Sequence, residues 1–223
     1  MGADQILERV TLPDGQEMVL TRWDDNITIF VGKRPLMSNF EHGSEDEFGR
    51  IVAERLVAAR IKKPRMLIGG LGLGFTLRAA LDVLPADARV TVAELVPAVV
   101  KWNRAEHGAW ARHPLEDPRV KLVVGDVAKV IAQKTRYHAI LLDVDNGPDA
   151  LTHKDNANLY KRAGLGRART ALTDDGLLAV WSAFPSRTFT TWLKDSGFDV
   201  EQLRAAPMSP GGPRYYIWLA RRR

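Results

Sequence analysis

Glycines and carboxylates are the residues of this chain whose types and spacing suit chemistry. Gly70-Leu71-Gly72-Leu73-Gly74 follows the apolar run Met66-Leu-Ile-Gly69 and leads into an amphipathic stretch. That order reads as a strand, a tight glycine turn and a helix start, which lets backbone approach a nucleotide closely. Glu94-Leu95 ends a second apolar run about 20 residues further on, the interval at which nucleotide folds place a ribose acceptor. Gly125-Asp126-Val127 ends a third run, and Asp143 and Asp145 end a fourth. Glu94 has two oxygens to offer ribose hydroxyls, and Asp126 can accept from an adenine amino group. Asp143, with Asp145 second, can orient an amine or accept its proton. Each also has a plainer reading. The glycines make a structural turn, Glu94 a surface strand end and Asp126 a helix cap. Asp143 makes a sheet-edge hydrogen bond, and Asp145 a turn acceptor.

These residues converge only if the chain places all four strand ends on one side of one sheet. The periodicity from Arg65 onward predicts this. Strands are expected at 66–68, 89–94, 120–124, 137–142 and 177–181, with helices at 75–84, 97–107, 126–133, 156–172 and 186–196 between or after them. Regular alternation of short apolar strands with helices predicts a mostly parallel sheet covered on both faces. Ligands in such sheets bind beyond the carboxyl ends of the strands. Two last strands, 198–203 and 215–219, lie too close for a crossover helix and are expected to pair antiparallel. The fold class is therefore α/β, a Rossmann-like domain over residues 46–223 with a seven-stranded sheet. Residues 1–45 read as a small β hairpin or meander, with strands at 18–23 and 27–31 around the turn Asp24-Asp-Asn26. A helix is expected over 47–61, with Ser44 and Glu47 as a capping box.

Composition limits the classes open to the chain. Cysteine is absent, so neither disulfides nor a cysteine zinc site can form. His42, His107 and His113 show no metal-ligand spacing, and no metal is expected. No run of 18 apolar residues marks a membrane span. Met1 to Asp14 lacks the blocks of a signal peptide, so a cytoplasmic location is expected. The formal charge is +5, with Arg221, Arg222 and Arg223 read as a solvated tail. No basic stripe interleaved with aromatics supports nucleic-acid binding. A dinucleotide-dependent dehydrogenase also uses a glycine turn with an acid after the second strand. Gly125-Asp126 and the acids after the fourth strand favour an adenosyl sulfonium ligand instead, although spacing alone leaves the choice open.

The segments Leu36-Met-Ser-Asn-Phe-Glu-His-Gly-Ser-Glu45, Gly70 to Gly74, Val92-Ala-Glu94, Val124-Gly-Asp126 and Leu142-Asp-Val-Asp-Asn-Gly-Pro148 resemble the spermidine synthase group. That group lies within the S-adenosylmethionine-dependent methyltransferase fold, and the resemblance covers nearly all of the chain. It implies a cofactor-binding set of Gly70, Leu71, Gly72, Leu73, Gly74, Glu94, Leu95, Gly125, Asp126 and Val127. In this set the glycine turn holds the donor's sulfonium arm, Glu94 the ribose and Asp126 the adenine. It implies Asp143 as the aspartate that orients and helps deprotonate an attacking amine. It also implies homodimers, to which the N-terminal strands are free to contribute.

The chain departs from the family pattern at three points. Leu73 stands where the family has an aspartate for the aminopropyl ammonium of decarboxylated S-adenosylmethionine. Val96 stands where it commonly has another, and the loop after Asp143 is shortened. An apolar residue in the turn cannot hold an ammonium, and its neutrality removes an obstacle to ordinary S-adenosylmethionine, which carries a carboxylate. The expectation is a transferase moving a methyl or an aminopropyl group from an S-adenosyl sulfonium donor to an amine. The alternative is a non-catalytic nucleoside-binding or protein-interaction member of the fold. The loop 149–160 reads either as a lid over the donor or as a polar surface loop. Trp181 and Phe184 read as an acceptor wall or as core.

Overall fold

In a computed structural model, the structure describes residues 5–144, 147–148, 157–205 and 214–223. The first four strands are β1 (Gln5–Thr11), β2 (Glu17–Trp23), β3 (Asn26–Val31) and β4 (Arg34–Ser38). They form a separate antiparallel sheet in that order, a four-stranded meander rather than a hairpin. The sequence hides β1 and β4 for physical reasons. β1 is mostly exposed and carries Glu8 and Arg9. β4 contains Pro35, which cannot donate to a ladder and sits here on the open edge of the sheet, beside a register shift.

The main sheet contains β5 (Arg65–Gly69), β6 (Arg89–Glu94), β7 (Val120–Val124), β8 (Tyr137–Leu142), β9 (Leu172–Ser182), β10 (Phe198–Ala205) and β11 (Tyr215–Arg222). Their order is β10-β11-β9-β8-β5-β6-β7, and β11 alone runs against its neighbours. The expected seven-stranded, mostly parallel sheet with an antiparallel final strand is what forms. Helices α1 (Gly43–Ala58), α2 (Phe75–Val83) and α3 (Pro97–Arg104) cover one face. Helices α4 (Val127–Ile131), α5 (Ala157–Tyr160), α6 (Arg162–Ala171) and α7 (Arg187–Asp195) cover the other.

Alternation along each strand divides the core. Met66, Ile68, Val90, Val92, Ala139, Leu141, Ile217 and Leu219 point toward α1 and α2, whereas Leu67, Ile140, Leu142, Trp218 and Ala220 point toward α6 and α7. Both faces are buried, so both sets must be apolar, and the strands read as continuous hydrophobic runs. Leu20, Ile27 and Ile29 of the small sheet share one apolar cluster with Phe48 of α1 and Ile68 of β5. The small sheet is therefore seated over the carboxyl end of the large one.

Several sequence expectations are corrected. Helix α1 begins at Gly43 with His42 at the N-cap position, so Ser44 lies inside the first turn instead of capping it and donates to the adjacent Glu45. Glu45 and Asp46 fall in its first turn, where the helix dipole favours acids. The expected helix 97–107 ends at Arg104 and continues as a 3-10 turn over Glu106–Ala111. The expected helix 156–172 is two helices, α5 and α6, meeting at Lys161. Arg221 and Arg222 are not a free tail but belong to β11. Arg222 donates to the Leu172 carbonyl, and Arg223 donates to those of Lys194 and Phe198. Among the described residues, no helix is long and apolar enough to cross a membrane.

Candidate functional site

A cleft runs along the carboxyl edge of the large sheet, between it and the small sheet. It encloses about 1040 Å³ of empty space, its open mouth included. Strand order fixes what it meets. Asp126 follows β7, Glu94 ends β6, Gly70 and Gly72 follow β5, Asp143 follows β8, and Trp181 lies near the end of β9; all six line the cleft. Residues scattered through the sequence thus form a row in the order β7-β6-β5-β8-β9. Leu12, Met18, Ile29, Val31, Leu36 and Met37 form the apolar wall opposite.

The glycine turn requires its glycines. Gly70, Gly72 and Gly74 have φ of 89°, 53° and 90°, the left-handed region. Gly70 has a second constraint, because a Cβ there would lie 2.0 Å from the Asp143 carbonyl oxygen. Gly70→Ala is therefore expected to lower stability by about 2–4 kcal/mol through backbone strain and displacement of the β8 end. Urea denaturation checks this, and an unchanged midpoint would refute it.

Glu94 is buried (7 % exposed), which rules out the surface-strand reading. Its Oε2 accepts from the Leu71 N–H at 2.8 Å and its Oε1 from the Val96 N–H at 2.8 Å. Burial pushes its carboxyl above the usual range, while the backbone N–H groups of Val96, Leu71, Leu95 and Gly72 oppose that shift. Asn103, on α3, completes the turn by donating to the Gly72 carbonyl at 2.7 Å. No local pattern in the sequence signals that contact. Within the turn, the Leu71 and Gly72 N–H groups act on the Glu94 carboxylate, whereas Gly70 donates to the Ala93 carbonyl and Gly74 to that of Leu71.

Asp126 is indeed a helix cap, since its Oδ1 accepts from Ala128 N–H at 2.7 Å at the start of α4. The cap reading of it therefore holds, and the residue also lines the cleft. Leu95 and Val127 line the cleft as well, flanking Glu94 and Asp126. Leu71 and Leu73 do not. They are 4 % and 1 % exposed and belong to the core, so they offer only backbone to the cleft. Leu73 N–H points at the Met37 sulfur, 2.9 Å away.

Asp143 accepts from Thr76 Oγ1 of α2 at 2.7 Å, and burial pushes its carboxyl up to about 6. Beside it stands Glu45 from the first turn of α1, to which the sequence reading assigned no role. Glu45 is 7 % exposed and lines the cleft. Burial first, then the charge of Asp143, pushes its carboxyl up to about 7. Trp181 stacks on Tyr215 with centroids 5.1 Å apart, whereas Phe184 is exposed and absent from the lining. Asp145 and loop residues 149–156 lie outside the described residues, so neither the second acid nor the lid is placed.

Among the described residues, the lining holds four carboxylates and no lysine, arginine or histidine. That charge disfavours a dinucleotide. Its pyrophosphate would compete with Glu94 for the Leu71 N–H and would face Asp143, which is bonded to Thr76 in the first turn of α2.

A parallel sheet with one antiparallel strand, a glycine turn after its first strand and an acid after its second defines the Rossmann-like methyltransferase fold. Within that class the chain has the spermidine synthase fold, small N-terminal sheet included. It superposes on a spermidine synthase crystallised with the transition-state analogue AdoDATO with a TM-score of 0.79, at 15 % identity over 98 % of this chain and 74 % of that one. The spermidine synthase of Thermotoga maritima gives 0.72 at 13 % identity, covering 98 % of this chain and 73 % of that one. A probable spermidine synthase from Corynebacterium glutamicum gives 0.67 at 20 % identity, covering 100 % and 81 %. In sequence, a polyamine aminopropyltransferase of Sulfolobus acidocaldarius is 28 % identical over 128 residues, 57 % of this chain. The matched part spans 41 % of that relative's length. No family model matches the chain.

Proposed function

We propose that this chain is a transferase that moves the aminopropyl group of decarboxylated S-adenosylmethionine to an amine. The observation that carries the reading is the charge of the cleft, four carboxylates with no basic side chain among the described lining residues. A sulfonium ending in an ammonium suits that field. A sulfonium ending in a carboxylate finds no cation to pair with there. The likeness to a polyamine aminopropyltransferase points the same way. Leu73, which the sequence reading treated as the residue opening the site to ordinary S-adenosylmethionine, is buried in the core and does not face the donor.

In this reading adenine sits by Asp126, ribose by Glu94 and the sulfonium over Gly70 and Gly72. The acceptor nitrogen attacks the aminopropyl carbon bonded to sulfur. The C–N bond forms as the C–S bond breaks, and the electron pair leaves with sulfur as methylthioadenosine. The proton lost by nitrogen goes to Asp143 Oδ. Alignment of nucleophile and leaving group supplies most of the acceleration, and the proton acceptor a further part.

Calorimetric titration separates the readings. Decarboxylated S-adenosylmethionine is expected to bind at least about 10-fold more tightly than S-adenosylmethionine, one ammonium–carboxylate interaction's worth. Methylthioadenosine is expected to bind in the same cleft, and to be released when a diamine is added to the donor complex. Tighter binding of S-adenosylmethionine would assign methyl transfer instead. Binding of none of the three would leave the non-catalytic alternative.

A further inference from the structure

Glu45 comes from outside the turn and strand-end motifs, and the packing of two helices puts it in the cleft. Gly49, one turn further along α1, lies so close to α2 that a Cβ on it would be 2.2 Å from the Thr76 carbonyl oxygen. That approach sets the first turn of α1 beside the first turn of α2. Thr76 Oγ1, bonded to Asp143, is also 3.4 Å from the Glu45 carbonyl oxygen.

The Glu45 carboxylate is more than nine-tenths buried and, among the described residues, has no lysine or arginine paired with it. It accepts from Ser44 Oγ. His42 is close enough to act on it, but its ring stacks on Phe75 and its Nδ1 is held by Asp46 at 2.8 Å. Asp143 repels it, and the Tyr215 hydroxyl, pushed up first by burial, is raised further by the charges of Glu45 and Glu41. A buried carboxylate in such surroundings is costly unless a cation or a proton joins it. With the cleft empty a proton does so near neutrality, as its raised carboxyl value indicates.

The order of the row tells which cation belongs there. Adenosine over β7 and β6 places sulfur over β5, and the arm then extends toward β8, where Glu45 and Asp143 stand. Asp143 faces the reacting nitrogen, which leaves Glu45 for the end of the arm. We propose that Glu45 is the specificity residue of the cleft, receiving the donor's terminal ammonium and excluding donors that carry a carboxylate beside it. This inference rests on the donor reading above.

The test compares the wild-type chain with Glu45→Gln, which keeps the side-chain shape and removes the charge. Calorimetry with decarboxylated S-adenosylmethionine, S-adenosylmethionine and methylthioadenosine is the readout. The variant is expected to lose about 30-fold or more in affinity for the decarboxylated donor. Its affinity for methylthioadenosine, which has no ammonium, should stay within about 3-fold. Equal losses for both ligands, or a preference between the two donors that survives in the variant, would overturn the role of Glu45 alone. A wild-type chain without that preference would overturn the donor reading and this role together. A measurement on wild type guards against a variant that fails to fold. At pH 7 the decarboxylated donor should displace a proton, seen as a buffer-dependent binding enthalpy, and methylthioadenosine should not. Absence of that difference would also overturn the proposal.

Discussion

Asp143→Asn is expected to lower kcat for aminopropyl transfer by about 10²–10⁴-fold, the usual worth of a positioned proton acceptor. Donor affinity should change by less than about 5-fold, because in our reading Asp143 faces the acceptor nitrogen. The asparagine keeps the bond from Thr76 Oγ1 but cannot take a proton. In the proposed reaction the ionised form of Asp143 takes the proton, and burial holds its carboxyl at about 6, so the wild-type rate should rise with pH through that region. Glu45, at about 7, titrates beside it. The rising limb therefore belongs to the pair rather than to either residue. The effect on stability runs the other way. Burial raises the folded-state value of Asp143 above its unfolded value of 3.8. Its protonated form thus stabilises the fold at low pH, and that stability is lost as pH rises from about 4 to about 6. Asp143→Asn should then be more stable than wild type at pH 8, by up to about 3 kcal/mol, and show little difference at pH 4. A variant that is both slow and destabilised at pH 8 would show that Asp143 is a structural residue.

Glu94→Gln should damage binding and fold together. Each carboxylate oxygen of Glu94 accepts a backbone N–H, from Leu71 and from Val96. A glutamine offers one oxygen and turns an NH₂ group toward the other N–H. Two buried donors then face each other, at a cost of about 1–3 kcal/mol. The glycine turn loses its organiser and the ribose loses an acceptor, so methylthioadenosine affinity should fall by about 100-fold. Urea denaturation and titration with methylthioadenosine check the two effects. Loss of binding with unchanged stability would mean that Glu94 serves the ligand alone.

The large sheet was legible because its central strands are buried on both faces. Met66 to Ile68, Arg89 to Glu94 and Tyr137 to Leu142 are largely apolar runs that a covered parallel sheet explains; they and the half-exposed edge run Val120 to Val124 have the expected place. The small sheet was half legible. β2 and β3 alternate around a turn, whereas β1 is polar and β4 carries Pro35, so neither shows a periodic signal. Helix α1 was found but started late, because its first turn is made of Gly43, Ser44, Glu45 and Asp46, without an apolar residue to show the period.

The same contrast runs through the candidate site. Glu94, Asp126 and Asp143 were readable because each directly follows an apolar strand, and strand ends in such sheets converge. Two decisions lay beyond local pattern. Leu73 occupies the centre of the glycine turn in sequence, yet the turn's left-handed backbone directs its side chain into the core and exposes Gly72 to the cleft. Glu45 reads as one acid among several at a helix start. Only the approach of α1 to α2 at Gly49 turns it into a buried carboxylate beside Asp143. By itself the sequence determined the strands of the large sheet, the turn and the acids at the strand ends, since these depend on neighbours along the chain. The tertiary structure alone decided the charge of the cleft, because that depends on which side chains packing brings into one low-dielectric space.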